Sequence, residues 1–222
     1  MAILLFLTSC ANTDNEIEPN AEPEKDVISY LALGDSYTIG QGVDAYNRWP
    51  NLLIDTLKKS DYQFEKDQII AQTGWTTYNL LQAMSNQDLS DYNLVSLLIG
   101  VNNQYRGQDF DVFKSEFDSL LNWSITIANS KSRVFVVSIP DYGVTPFGQS
   151  NAEKIAKELD NYNGYMYNKC VEKGVPFVDI TTISRIMGNG EGALAKDNLH
   201  PSGKQYQQWV NKIAPVVFSL LD

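Results

Sequence analysis

Four short stretches of this 222-residue protein carry groups able to act together on a substrate. In Ile28-Ser29-Tyr30-Leu31-Ala32-Leu33-Gly34-Asp35-Ser36 an apolar, strand-like run stops abruptly, which lifts the Ser36 hydroxyl out of the end of a sheet. A serine hydroxyl is a weak nucleophile, so chemistry at Ser36 requires a base, a carboxylate to orient that base, and donors for a developing oxyanion. The sequence holds one histidine, His200, within Asp197-Asn198-Leu199-His200-Pro201-Ser202. A carboxylate three residues ahead of a histidine on a turn can hold one imidazole nitrogen and leave the other facing a serine. The same peptide reads equally well as a turn-forming aspartate and a packed histidine, before a helix start that Pro201 pre-organises.

The remaining two stretches offer oxyanion donors. Leu98-Ile99-Gly100-Val101-Asn102-Asn103 ends a buried strand in a glycine and two amides, and an asparagine amide so placed stabilises a transition state by about 3–4 kcal/mol in a well-studied protease. Loop or cap roles suit these asparagines as well. In Gln72-Thr73-Gly74-Trp75-Thr76-Thr77 the glycine lets a backbone amide approach a ligand closely, or the segment simply starts a helix with Thr76 as its N-cap.

The elements that must position these residues follow from hydrophobic periodicity. Strands are predicted over 28–33, 68–71, 94–99, 134–139 and 177–178, with helices over 48–59, 76–84, 109–129, 152–173 and 202–221. In the third helix, Phe110, Phe113, Phe117, Leu120, Leu121 and Ile125 recur at helical spacing and read as a core face. Strands alternating with helices imply right-handed crossovers and one α/β domain, a three-layer α/β/α sandwich on a five-stranded parallel sheet. Sites in such sheets collect outside the carboxyl ends of the strands. Ser36, Gly74 and the Gly100–Asn103 stretch each follow a predicted strand, so they can face one crevice.

Composition narrows the partners. A net charge of −10 opposes encounter with nucleic acid or a strongly anionic lipid surface and suits neutral substrates. Two cysteines far apart, Cys10 and Cys170, form no disulfide framework, and a single histidine without paired thiols makes no zinc-type cluster. No metal or cofactor is expected. The glycines after the first strand do not follow the G-x-G-x-x-G or G-x-x-x-x-G-K-[ST] spacing of nucleotide-binding loops. Nor does Ser36 sit in the mid-sequence G-x-S-x-G elbow of an α/β-hydrolase.

Residues 1–10 form an apolar run too short to span a bilayer, ending Leu7-Thr8-Ser9-Cys10. This resembles a bacterial lipobox, without the usual basic start, and implies lipidation at Cys10 and residence in the cell envelope. Residues 11–26, polar and proline-containing, read as a disordered tether reaching roughly 20–25 Å. The predicted globular domain is 27–222.

Taken together and in this order, the four stretches resemble the SGNH hydrolases, or GDSL esterase and lipase family. The resemblance runs from Tyr30 to the end and implies a flavodoxin-like sheet between helices. It assigns Ser36 as nucleophile, the Gly74 backbone amide and the Asn102 side-chain amide as oxyanion donors, and Asp197 and His200 as the last block. Arg48-Trp49-Pro50-Asn51-Leu52 and Ile139-Pro140-Asp141-Tyr142-Gly143 also look familial. Two departures stand out: Asn103 replaces the acid usual after Asn102, and Trp75 stands where many members have Asp. They bear on loop pinning and pocket shape.

The expected activity is therefore serine-dependent hydrolysis of carboxylic esters, with the Ser36 and Gly74 amides and Asn102 as the oxyanion hole and no cofactor. Small substrates are favoured, short-chain esters or O-acetyl groups on glycans, acted on by a monomer that touches membrane only through its lipid anchor. Longer acyl groups, as in a lysophospholipase or thioesterase, are the alternative, and a binding lipoprotein without turnover is another. Trp49, Trp75, Tyr78, Tyr105 and Tyr142 are candidates for a substrate rim or for core. Gly188 to Gly192 is a candidate lip of the site or an ordinary loop.

Overall fold

The structure is a computed structural model that describes residues 27–222. The expected signal segment with Cys10 and the expected tether, residues 1–26, lie outside the described residues. Five parallel strands form one sheet in the order β2-β1-β3-β4-β5: β1 (Ile28–Gly34), β2 (Phe64–Ala71), β3 (Leu94–Leu98), β4 (Val134–Val137) and β5 (Phe177–Val178). Among the described residues, eight α-helices accompany them: α1 (Ser36–Ile39), α2 (Trp49–Lys58), α3 (Thr77–Ser85), α4 (Val101–Tyr105), α5 (Phe110–Ile127), α6 (Ala152–Lys173), α7 (Thr181–Met187) and α8 (Gly203–Leu221). Helix α2 packs against α8, and α3, α5 and α6 pack in a row, so helices cover both sheet faces. This is the expected three-layer α/β/α sandwich with flavodoxin-like strand order.

The central strands explain why hydrophobic runs suffice to find them. Every residue of β1, β3 and β4 is buried, as continuous apolar strands covered on both faces must be. Strand β2 begins at Phe64 rather than 68, because the edge position tolerates Glu65, Lys66 and Asp67 with alternate exposure. Charges on an edge strand also discourage pairing with other molecules. The aromatic face of α5 is core as expected: Phe113, Phe117, Leu120 and Leu121 are fully buried, and burial of each large apolar group stabilises by about 1.5–3 kcal/mol. Asp109 starts that helix by accepting the Asp111 and Val112 amides at 2.8 and 3.1 Å.

Three short helices, α1, α4 and α7, escape periodicity because none is long enough to show a clear 3.6-residue pattern. The first two follow β1 and β3 directly and carry the Gly-Asp-Ser and Gly-Val-Asn-Asn stretches. Because β2 lies to one side of β1 and β3 to the other, the crossover direction reverses between β1 and β3. The crevice at that switch point is where an open parallel sheet holds its ligand.

Candidate active site

At the end of β1, Gly34 touches both neighbouring elements. A Cβ there would lie 2.2 Å from Thr38 Oγ1 and 2.5 Å from the Leu98 carbonyl oxygen, so only glycine lets β1 pass this close to α1 and β3. Asp35 then caps α1, its Oδ1 accepting the Tyr37 amide at 3.0 Å. The carboxyl is fully buried and Oδ2 has no partner among the described residues; burial pushes its pKa up to about 7 against the pull of backbone hydrogen bonds. Ser36 opens the helix directly behind this cap. Its amide, in the first turn, donates to no group among the described residues.

His200 sits on a turn that Asp197 builds. Asp197 Oδ1 accepts the Leu199 and His200 amides at 3.0 and 2.9 Å, while Oδ2 lies 2.7 Å from His200 Nδ1. Both possible roles of this peptide are therefore filled at once: the aspartate forms the turn and orients the ring. With Nδ1–H directed at Asp197, Nε2 is left as the proton acceptor. Burial alone would raise the Asp197 pKa, but the hydrogen bonds from His200 and Leu199 outweigh it and hold the carboxyl below its ordinary value. The turn is tied to the residues before it, since Ala195 donates to the His200 carbonyl at 2.8 Å and Ser202 to the Ala193 carbonyl at 3.0 Å. Ser202, accepting the Gln205 amide, caps α8.

The candidate oxyanion donors are clamped to each other. Asn102 Nδ2 donates to the Trp75 carbonyl at 2.9 Å, leaving its second hydrogen for the crevice. Gly74 holds a positive φ of 84°, and Arg106 donates to its carbonyl at 2.6 Å. Thr76 caps α3 in a reciprocal capping box with Asn79. Asn103, the departure from the family pattern, is fully buried. Its Oδ1 accepts the Thr77 amide at 3.1 Å, and its Nδ2 donates to Thr77 Oγ1 at 2.6 Å and Gln108 Oε1 at 3.0 Å. Asn103 thus pins the loop after β2 to the loop after β3 across 26 residues. Nothing local in the sequence marks that role.

Ser36, Gly74, Asn102 and His200 all line one cavity of about 150 Å³. Its remaining wall is Tyr37, Thr73, Val101, Tyr105, Tyr142, Phe147 and Leu199. Ser36 and His200 share the cavity without a direct hydrogen bond between them; catalytic contacts in unliganded sites are often loose and tighten around substrate. The Tyr37 ring meets the imidazole edge-on, 5.7 Å between centroids. Tyr105, Tyr142 and Phe147 form a triangle of rings 5.7–6.2 Å apart, with Tyr105 58% and Phe147 52% exposed.

Of the five rim candidates, Tyr105 and Tyr142 reach this cavity. Trp49 is fully buried and packs edge-on against Phe135 at 6.5 Å, because α2 turns it into the core. Trp75 packs against the core, and Tyr78 lines a separate hollow together with Arg106. None of residues 188–192 lines this cavity; Gly188 borders a small adjacent hollow of about 10 Å³ that also touches Leu199. Five wall residues, Tyr37, Thr73, Val101, Phe147 and Leu199, are absent from the candidates that sequence alone singles out. Leu199, between Asp197 and His200, carries a positional signal; Phe147, in a loop without periodicity, carries none.

The profile of the GDSL-like Lipase/Acylhydrolase family matches residues 32–208, which include the Ser36, Gly74, Asn102 and His200 positions of the four stretches. The protein belongs to this family. It is accordingly a hydrolase of ester bonds. Among solved structures, the protein TesA superposes on this GDSL-like hydrolase with a TM-score of 0.68 at 17% identity, over 87% of its length and 99% of the length of TesA. An acetyl-xylooligosaccharide esterase from Geobacillus gives 0.65 at 17% identity, over 87% and 94% respectively. A phospholipase A1 from Streptomyces albidoflavus gives 0.62 at 18% identity, over 87% and 99%. At these identities the likeness is one of fold. Curated protein sequences yield no match.

Proposed function

We propose that this GDSL-like hydrolase is a serine esterase of short-chain carboxylic esters, O-acetyl groups on carbohydrates among them. His200 Nε2 takes the Ser36 proton as Oγ attacks the acyl carbon. The tetrahedral oxyanion accepts hydrogen bonds from the Ser36 and Gly74 amides and from Asn102 Nδ2. Collapse breaks the ester C–O bond, and the alcohol leaves with the proton from His200. Water then attacks the acyl-enzyme, giving a proton to His200, which returns it to Ser36 as the carboxylic acid departs. Asp197 holds the tautomer throughout and stabilises the imidazolium.

The observation that carries this reading is the one cavity shared by Ser36, His200, Gly74 and Asn102. Its volume favours small acyl groups: at about 150 Å³ the cavity is smaller than a typical small-molecule site. Support for O-acetyl substrates also comes from the Geobacillus neighbour, named an acetyl-xylooligosaccharide esterase.

The test is hydrolysis of p-nitrophenyl esters from acetyl to long acyl by wild type, Ser36→Ala and His200→Ala. Activity that peaks at short acyl groups and disappears in both variants is the expected result. Rates that climb with acyl length would turn the assignment toward a lipid esterase. A folded wild type that is inert to every ester and to a fluorophosphonate serine probe would be a binding protein.

Envelope anchoring belongs to the same proposal, on the strength of the lipobox-like Leu7-Thr8-Ser9-Cys10. Cys10→Ser is expected to move the protein from the membrane to the soluble fraction of its host, with ester hydrolysis intact. An unmodified protein already in the soluble fraction would refute the anchor.

A further inference from the structure

Helix α4 serves two hollows at once. Asn102 lines the catalytic cavity, while Gln104 and Tyr105 border a second hollow of about 400 Å³. The two share the wall formed by Tyr105, Tyr142 and Phe147, so whatever leaves the cavity over those rings arrives in the second hollow. Its volume falls in the range of small-molecule sites.

The chemistry of the two hollows differs. The cavity is walled mainly by apolar groups, whereas the second hollow adds Gln104, Asn151, Lys154 and Glu158. Gln104 is only 7% exposed; its Nε2 donates to Glu158 Oε2 at 2.7 Å, and its Oε1 has no partner among the described residues. Lys154 and Glu158 are paired at 3.8 Å. The lysine lining the hollow is thus matched by a carboxylate. Donors and acceptors of both kinds stand opposite exposed aromatic faces, in a protein of net charge −10.

We propose that this hollow is the subsite for the alcohol half of the ester, and that it takes a neutral carbohydrate ring. The inference rests on the esterase reading above and adds to it where the leaving group sits and what it is. A pyranose or furanose ring presents apolar C–H faces to Tyr105 and Phe147 and hydroxyls to Gln104, Asn151 and Glu158. A phosphate or carboxylate headgroup would meet Glu158 with no unmatched cation to offset it. A purely apolar alcohol would strip water from these polar groups and leave them unpaired.

The experiment compares kcat/KM for a partly acetylated neutral oligosaccharide with kcat/KM for p-nitrophenyl acetate, in wild type, Glu158→Ala and Asn151→Ala. Asn151 is exposed and makes no helix-capping bond through its amide, so that variant is expected to fold even if loss of Glu158 disturbs Gln104. In each variant the ratio of saccharide to p-nitrophenyl activity is expected to fall about tenfold, the net effect of losing one hydrogen bond to a hydroxyl. Saccharide binding by Ser36→Ala, followed by isothermal titration calorimetry, is expected to weaken in parallel when Glu158→Ala is added. An unchanged ratio in both variants, with Ser36 still labelled by a fluorophosphonate, overturns the subsite alone. A wild type that prefers a lysophospholipid to the saccharide overturns the carbohydrate assignment. Absence of labelling and of all hydrolysis overturns both the esterase reading and the subsite.

Discussion

Asp35→Asn isolates the ionisation of the carboxyl directly behind Ser36. The native carboxyl does two things: Oδ1 accepts the Tyr37 amide at 3.0 Å, and Oδ2 lies buried without a partner among the described residues. Asparagine keeps the shape and the capping oxygen and removes the charge. Burial raises the carboxyl from 3.8 to about 7 in the folded state, so the native protein keeps a proton that the unfolded state has already released. Stability therefore falls as pH rises from about 4 to about 7, and above that range the folded protein carries the full cost of a buried carboxylate. A shift of about three units at 1.36 kcal/mol each sets that cost at no more than about 4 kcal/mol. Urea unfolding at fixed temperature between pH 4 and 9, comparing midpoints at constant m-value, reads it directly. Relative to wild type, Asp35→Asn is expected to gain stability steadily with pH, from little at pH 4 to several kcal/mol at pH 8. A difference between the two proteins that is the same at pH 5 and pH 9 would refute the argument, because a solvated or permanently charged Asp35 gives no such slope.

Two further predictions follow from the clamps. Asn102→Ala removes the amide shared between Trp75 and the crevice and is expected to lower kcat by about 10²–10³-fold; thermal melting beside steady-state kinetics would show whether stability is instead what changed. Arg185→Leu strips the partner at 2.8 Å from Asp141, which is 3% exposed and also holds the Gly143 amide beside Tyr142. Because the Arg185 side chain is 36% exposed while Asp141 is 3% exposed, a loss of about 1–3 kcal/mol by urea unfolding is expected, and no measurable loss would mean that water replaces the guanidinium.

Local features are legible in the sequence. The strand that delivers Ser36 announces itself because a strand covered on both faces must be apolar throughout, and Gly34-Asp35-Ser36 marks its end. The Asp197–His200 pairing is legible for a similar reason: both residues lie on one turn, and the geometry of a turn is set by its own few residues. The five helical patterns agree with the structure to within two residues at each boundary, α6 without any shift, since amphipathic periodicity is also a local property. Strand β2 extends beyond its apolar portion because an edge strand need not be apolar, so Glu65 to Asp67 carry no strand signal.

Which residues meet across distance depends on how the elements pack. Trp49 and Tyr105 are equally aromatic, yet α2 turns the first into the core and α4 leaves the second at the cavity mouth. Asn103 clamps Thr77 through bonds spanning 26 residues, and Phe147 reaches the cavity from a loop after β4. The strands, the place of Ser36 at the end of β1 and the Asp197–His200 hydrogen bonds are written in the sequence, because burial and turn geometry act on neighbouring residues. The cavity's size, its aromatic wall and the polar hollow beside it arise where the segments after β1, β2, β3 and β4 meet the turn before α8, and packing between elements has no periodic imprint on the sequence.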